Sequence, residues 1–203
     1  MRKLLEDVLG KRKADIVAAT LKLADKAGMR GLTTKKIAQE VGFVEGALYK
    51  HVKSKGDLLA LVFEVAEQVY YDIFKEIEKK KLAADDALRE WFRCGIAYLE
   101  EFPGLYRILF SDELYGEYKE LFDKFREFTG TMRDGFEKII RRGISERVFR
   151  DVARPDLVAL LYLGVVHNSL TIWNLFEERS QRLGELAEPI LEQFLDGLIL
   201  REG

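Results

Sequence analysis

Several things are scarce in this sequence, and each scarcity excludes something. There is one cysteine, Cys94, so no internal disulfide and no cysteine-based zinc site can form. Its surroundings, WFRCGIAYL, lead one to expect a buried core thiol. The only histidines are His51 and His167, far apart in the chain, and no metal site is expected from them. The three prolines, Pro103, Pro155 and Pro189, all suit helix starts or breaks. A chain so poor in proline and so rich in Leu, Lys, Glu and Ala is expected to be all-α. No apolar run reaches the roughly 18 residues of a membrane span, so none is expected. The start, MRKLLEDVLGKRK, has acids inside its short apolar stretch and no small-residue cleavage site, so a cytoplasmic location is expected. Asn and Gln are sparse beside abundant charge, a composition that fits a heat-adapted source.

Enzyme signatures are missing as well. There is no phosphate-cradling P-loop, no G-x-G-x-x-G after a strand and no nucleophile elbow. The carboxylate pairs Asp85-Asp86 and Glu100-Glu101 sit at polar helix ends, where they read as solvated or capping groups. The chain is read as a non-enzyme that needs no cofactor.

What is present is a division of charge. Apolar content of 48% and charged content of 33% belong to a globular chain with a real core. Residues 1–60 hold 13 Lys/Arg against 7 Asp/Glu, a net +6, whereas the remainder holds 20 against 28, a net −8. A phosphate backbone attracts the first section and repels the second.

The basic section carries a helical pattern. Ile16, Ala19, Thr20, Leu23, Ala24 and Ala27 share one face of a helix over 13–27, and Gly28 and Gly31 end it. Thr33 caps a helix from Thr34 to Val41, Gly42 makes a turn, and a short helix over 45–51 follows. Ser54-Lys55-Gly56-Asp57 is a capping box that opens a long helix reaching Lys80. Further helices are expected over 84–101, 103–110, 114–143, 155–178 and 182–200, the last two with broad apolar faces.

Two helices joined through a glycine turn, the second one short and tied down by Leu48 and Val52, make a DNA reading head. Thr34, Lys35 and Lys36 start the first of these helices. Glu45, Gly46, Ala47, Tyr49, Lys50 and His51 lie on the second, and Lys55 opens the helix after it. Lysine supplies charge to phosphate, while Thr and Tyr hydroxyls supply directional bonds. An acidic, aromatic-rich helical segment behind such a head suggests a switch, one part holding DNA and the other sensing something.

Residues 13–60 resemble the DNA-binding domain of the TetR (tetracycline repressor-like) regulators. The resemblance rests on Ile16 and Ala19, Gly28, Thr33-Thr34, Ile37-Ala38, Gly42, Gly46, Leu48-Tyr49, His51, Lys55 and Leu58-Leu59. FPGLYRILFSDE and IIRRGISERVFRD resemble the effector domains of such regulators more loosely. The resemblance implies nine or so helices: a three-helix helix-turn-helix DNA-binding domain over 1–57 with its N-terminal arm, then a larger effector-binding and dimerisation domain over 58–203. It further implies a homodimer through the last two long helices, on a pseudo-palindromic double-stranded DNA operator, acting as a repressor released or modulated by a small molecule. Within the same fold, a ligand-independent architectural DNA binder is the alternative.

The chain departs from the family pattern at the start of the short helix. Val44 stands where a small hydroxyl residue is common, which removes a cap. Glu45 either serves the helix start or accepts from a cytosine amine. Val52 replaces a usual aromatic. Arg2, Lys3, Lys11, Arg12 and Lys13 either form a basic arm along the duplex or belong to a frayed terminus.

Of the large residues in the second half, Trp91, Tyr98, Tyr106, Phe110, Phe128, Met132, Tyr162, His167 and Trp173 are the candidates to line a cavity for an apolar or aromatic effector. Helical spacing alone equally allows them to be plain core. His167, beside Asn168 on an apolar helix, is either a ligand contact or a histidine of the interior or the dimer interface.

Overall fold

The computed structural model describes residues 2–175 and 181–200, which form eleven helices. They are α1 (Arg2–Leu9), α2 (Lys11–Ala27), α3 (Thr34–Val41), α4 (Glu45–Leu48), α5 (Lys55–Lys80), α6 (Ala84–Glu101), α7 (Pro103–Leu109), α8 (Asp112–Glu117), α9 (Lys119–Ser145), α10 (Pro155–Leu175) and α11 (Leu183–Asp196). Among the described residues no strand forms; a lone antiparallel bridge joins Phe149 to Ile199. The part of the expected 155–178 helix beyond residue 175 lies outside the described residues.

Helix ends follow local chemistry. Thr33 accepts the Lys36 N–H at 3.3 Å, and Ser111 accepts that of Leu114 at 3.2 Å, each satisfying a donor that the helix leaves orphaned. Gly42 stops α3 in the left-handed region, φ 81°, where a side chain would be strained. Ser54 accepts the Asp57 N–H at 3.0 Å, the serine half of the expected capping box, while the Asp57 carboxylate reaches past the cap and accepts from the Lys53 N–H at 3.0 Å.

The chain divides into two compact units, Met1–Val69 with Glu101–Phe128, and Tyr70–Glu100 with Thr129–Gly203. This grouping differs from the sequence boundary at 57/58, because α7 packs on α2. Gly104 has no Cβ, and one would lie 1.9 Å from the Leu21 carbonyl oxygen. Arg107 pairs with Asp25 at 3.6 Å along the same seam.

In the second unit, α6, α10 and α11 share an aliphatic and aromatic core. The fully buried Tyr162 donates to the Leu88 carbonyl at 2.6 Å. Arg89 on α6 holds Glu192 on α11 at 2.9 Å and Asp85 at 2.6 Å, and Arg93 holds Glu188 at 2.7 Å.

Five sequence expectations need correction. Cys94 is exposed rather than core, because Trp91, Phe92, Gly95 and Ile96 take the inward side of α6. Pro189 lies inside α11, on its exposed side, rather than at a break. The expected 114–143 helix is two helices, interrupted at Tyr118, whose backbone leaves the helical region at ψ 68°. Arg2, Lys3, Lys11, Arg12 and Lys13, read as a basic arm or a frayed end, lie on helices, the first two on α1, where Leu5 is buried, and the others at the start of α2. Finally, α10 is long and apolar enough to span a membrane by length and composition, since its His, Asn, Ser and Thr interrupt the run without adding charge. Its packing partners α6 and α11 carry the Arg89 and Arg93 ion pairs, groups costly to place in lipid.

Candidate nucleic-acid interface

The reading head is built on a small apolar base. Ile37, Ala38, Leu48 and Val52 are buried, with Leu48 at 0% exposure, and they fix α4 against α3. Val52 fills its place in this base at 4% exposure. On the other side of this base the polar residues converge. Thr34 Oγ1 donates to Glu45 Oε1 at 2.7 Å, and Tyr49 OH donates to Thr34 Oγ1 at 3.3 Å. A hydrogen-bonded chain thus joins the start of α3 to α4 and orients the Tyr49 ring, which is 47% exposed.

Lys35, Lys36, Glu45, Gly46 and Lys50 are exposed around this chain; Thr34, Ala47, His51 and Lys55 are half-buried. Lys36 Nζ donates to the Gly31 carbonyl at 3.2 Å and Lys55 Nζ to the Met29 carbonyl at 3.4 Å. The His51 ring stacks with Phe43 at 6.1 Å, and the Arg12 guanidinium lies 5.8 Å from the Phe43 ring centre. His51 is therefore partly engaged in packing, which its position after Tyr49 and Lys50 does not reveal. Val44 leaves the start of α4 without a side-chain cap and is 77% exposed, an unusual place for a branched apolar residue. Glu45 makes its bond to Thr34 rather than to its own helix end.

The candidates from the second half do not all come together. Tyr106, Phe110 and Phe128 belong to the first unit, where Tyr106 and Phe110 lie 5.0 Å apart and Phe110 is 38% exposed. Trp91, Tyr98, Met132, Tyr162, His167 and Trp173 belong to the second. There Trp91 sits in an aromatic box, with ring centres 4.6 Å from Phe136, 6.2 Å from Tyr162, 6.2 Å from Phe74 and 6.4 Å from Tyr70. Phe74, Phe136 and Tyr70 fall outside the sequence candidates, and their helical spacing is the signal that could have found them. Tyr70 OH donates to the Thr131 carbonyl at 3.0 Å. Burial raises the Tyr70 and Tyr162 phenols above their ordinary range, so both remain neutral donors. Trp91 Nε1, buried in the same box, has no hydrogen-bond partner among the described residues. Trp173 Nε1 donates to the Gln181 carbonyl at 2.9 Å. Met132 is half-buried, Tyr98 is buried, and His167 stands on the exposed face of α10.

That face is apolar. Leu157, Leu160, Leu161 and Leu175 are 43%, 45%, 63% and 72% exposed, and they run with Gly164, His167 and Asn168 along one side of the helix. The opposite side, Ala159, Tyr162, Val166, Ser169 and Trp173, is buried.

An all-helical chain whose first helices present Thr34, Tyr49 and a ring of lysines from a glycine-jointed pair is a helix-turn-helix DNA-binding protein. Residues 16–62, which hold the reading head, match the family model described as bacterial regulatory proteins, tetR family. It is 29% identical over 161 residues to the nucleoid occlusion factor SlmA of Vibrio vulnificus (strain YJ016), covering 78% of this chain and 82% of that protein. Its fold matches the TetR family regulator PfmR of Thermus thermophilus, with TM-score 0.74 and 21% identity over 93% of this chain and 96% of that one. It also matches the Bacillus subtilis regulator FadR in complex with stearoyl-CoA, with TM-score 0.72 and 19% identity over 90% and 97% of the two chains.

Proposed function

We propose that this protein is a homodimeric regulator, acting as a repressor, whose paired reading heads hold a pseudo-palindromic operator and whose hold is modulated by a small apolar or aromatic effector. The observation that carries the DNA half of this reading is the Tyr49–Thr34–Glu45 hydrogen-bonded chain, exposed above a buried Leu48 and ringed by lysines. Two heads related by a two-fold axis reach successive major grooves when their centres lie about 34–36 Å apart. The bare leucine face of α10 supports a second copy of the chain as its cover, with α11 alongside.

The test is duplex binding measured by fluorescence anisotropy between about 50 and 200 mM salt, where each phosphate contact adds about 0.9 to the log–log slope. Lys50→Ala is expected to reduce the slope by about that amount and to weaken operator and mixed-sequence DNA alike. A wild-type chain that binds no duplex even at the low-salt end would sink the DNA reading.

The effector half rests on Trp91. A buried N–H without a partner costs about 1–3 kcal/mol, and an acceptor oxygen on a ligand removes that cost. An effector with an apolar body and one carbonyl or ester oxygen would supply such an acceptor. Stearoyl-CoA, the molecule bound to the FadR of Bacillus subtilis, serves as a probe because it joins a long apolar chain to a thioester carbonyl. It is expected to raise the melting temperature of the wild-type chain and, by reciprocal linkage, to weaken duplex binding. Trp91→Phe should melt no lower than wild type, because the unpaired donor is gone, yet bind the probe about tenfold more weakly. An undiminished response in Trp91→Phe would remove Trp91 from the effector site.

A second reading has its own support. The similarity to nucleoid occlusion factors covers most of the chain, and the box aromatics pack ring against ring. Under that reading the protein marks many chromosomal sites without an effector. Genome-wide occupancy spread over sites far from promoters, with duplex affinity untouched by acyl or planar aromatic probes, would favour it.

A further inference from the structure

The turn between α2 and α3 adds an arginine to the positive charge of the reading head. Met29 and Leu32 anchor it, at 3% and 1% exposure, and the Leu32 N–H closes it on the Met29 carbonyl at 3.1 Å. Lys55 donates to the Met29 carbonyl and Lys36 to the Gly31 carbonyl. Between these two carbonyls stands Arg30, whose side chain is 92% exposed. Three cations from three different segments thus meet at residues 29–31. Two of them, Lys36 and Lys55, belong to the candidate phosphate-binding set.

Arg30 already has a partner. Its Nε donates to Glu113 Oε1 at 3.0 Å. Glu113 lies in the first turn of α8, and its carboxyl is held below the ordinary carboxylate range, first by its own backbone N–H and then by Arg30 and the field of Lys55. It therefore stays ionised at neutral pH. Its position is set by α7, which the Gly104 contact and the Arg107–Asp25 pair hold against α2. A negative charge is thus fixed at the edge of a cationic turn shared with Lys36 and Lys55.

As a structural element such an exposed pair contributes little to stability. Its consequence for DNA is different. A guanidinium binds carboxylate and phosphate through the same N–H groups, so the two anions compete for one site. We propose that Arg30 is a further phosphate-binding residue of the reading head and that Glu113 is its built-in competitor, so that Arg30 passes from the carboxylate to the DNA backbone when the head docks. The inference rests on the DNA-binding reading above. It adds that duplex affinity is set partly by α8, a segment outside the helix-turn-helix. Any movement of α8 toward or away from the turn then tightens or loosens the grip on DNA.

The experiment uses the full chain, a mixed-sequence duplex and fluorescence anisotropy across the same salt range. Glu113→Gln keeps the shape and the backbone bond but removes the charge. It is expected to bind about threefold to tenfold more tightly at the low-salt end, with the gain fading as salt screens the contact. Arg30→Ala is expected to bind more weakly, with a salt slope smaller by about 0.9. In the Arg30→Ala background Glu113→Gln should lose most of its effect, since the carboxylate acts through the guanidinium. Thermal melts of all three variants should match wild type, separating a charge effect from a folding effect. If wild type binds duplex but Glu113→Gln and Arg30→Ala leave affinity and slope unchanged, Arg30 makes no phosphate contact and the proposal is overturned while the reading head stands. If wild type binds no duplex at all, the reading head itself is overturned.

Discussion

A Leu161→Glu chain is expected to fold as the wild type does, to run as a monomer in light scattering, and to lose operator affinity by about two to four orders of magnitude. The first expectation follows from exposure: Leu161 is 63% exposed in the single chain, and its neighbour Tyr162 points the other way into the core. A glutamate there displaces nothing inside the protomer and is a good helix former. The second follows from what the face presents. Leu157, Leu160 and Leu161 stand exposed along α10, and a two-fold axis would bring each row against its own copy. Two glutamates would then meet in a desolvated apolar seam, a like-charge contact that costs several kcal/mol. The third follows from linkage, since one head on its own loses the effective concentration that tethering gives the second. A Leu161→Glu chain that stays dimeric would move the interface off this face. One that becomes monomeric but keeps full operator affinity would show that pairing contributes nothing to binding.

How much of this can be read from residues alone depends on whether the cause is local. The α3 boundaries, Thr34 and Val41, follow from a hydroxyl cap and a left-handed glycine, and both are visible in the sequence. The start of α5 follows from the Ser54–Asp57 box in the same way. The break at Tyr118 has no such signal: GEYKELFDKF keeps its apolar period, with neither proline nor a glycine stop at the break. Pro189 misleads because proline near a chain end resembles a stop, whereas α11 carries it on an exposed side. Cys94 misleads because burial preference is an average, and the face of α6 on which it falls is decided by Trp91 and Phe92.

The site divides along the same line. That Thr34 and Tyr49 share the exposed side of the head is legible from the two helices and the turn between them. That Glu45 accepts the Thr34 hydroxyl is not, because a glutamate at a helix start is equally at home beside its own N–H groups. Arg30 reads in the sequence as a lone basic residue beside a glycine in a turn. Its meaning arises only when Glu113, 83 residues away in sequence, comes within 3.0 Å.

The grouping of residues 101–128 with the head has the most exacting test. Gly104→Ala is expected to lower the melting temperature by about 5–10 °C, from a loss of about 2–3 kcal/mol at about 2–4 °C per kcal/mol for a chain of this size. An added Cβ would lie 1.9 Å from the Leu21 carbonyl oxygen, 2.7 Å from its carbon and 3.0 Å from the Asp25 nitrogen. All three are backbone atoms of α2, so no rotamer change relieves the overlap and α7 must back away as a body. Gly116→Ala is the control: it sits in α8 with nothing within 4 Å of the added carbon, and it should stabilise by about 0.5–1 kcal/mol because alanine loses less backbone freedom. Hydrogen exchange distinguishes two accounts of the Gly104→Ala loss. If α7 is part of the cooperative unit that contains the reading head, amide protection in α2 falls together with that in α7. If residues beyond 57 fold as a separate domain, α2 keeps its protection and only the second domain loosens. The first outcome would mean that the segment carrying Glu113 cannot move without the head registering it, because both stand on the same backbone contact.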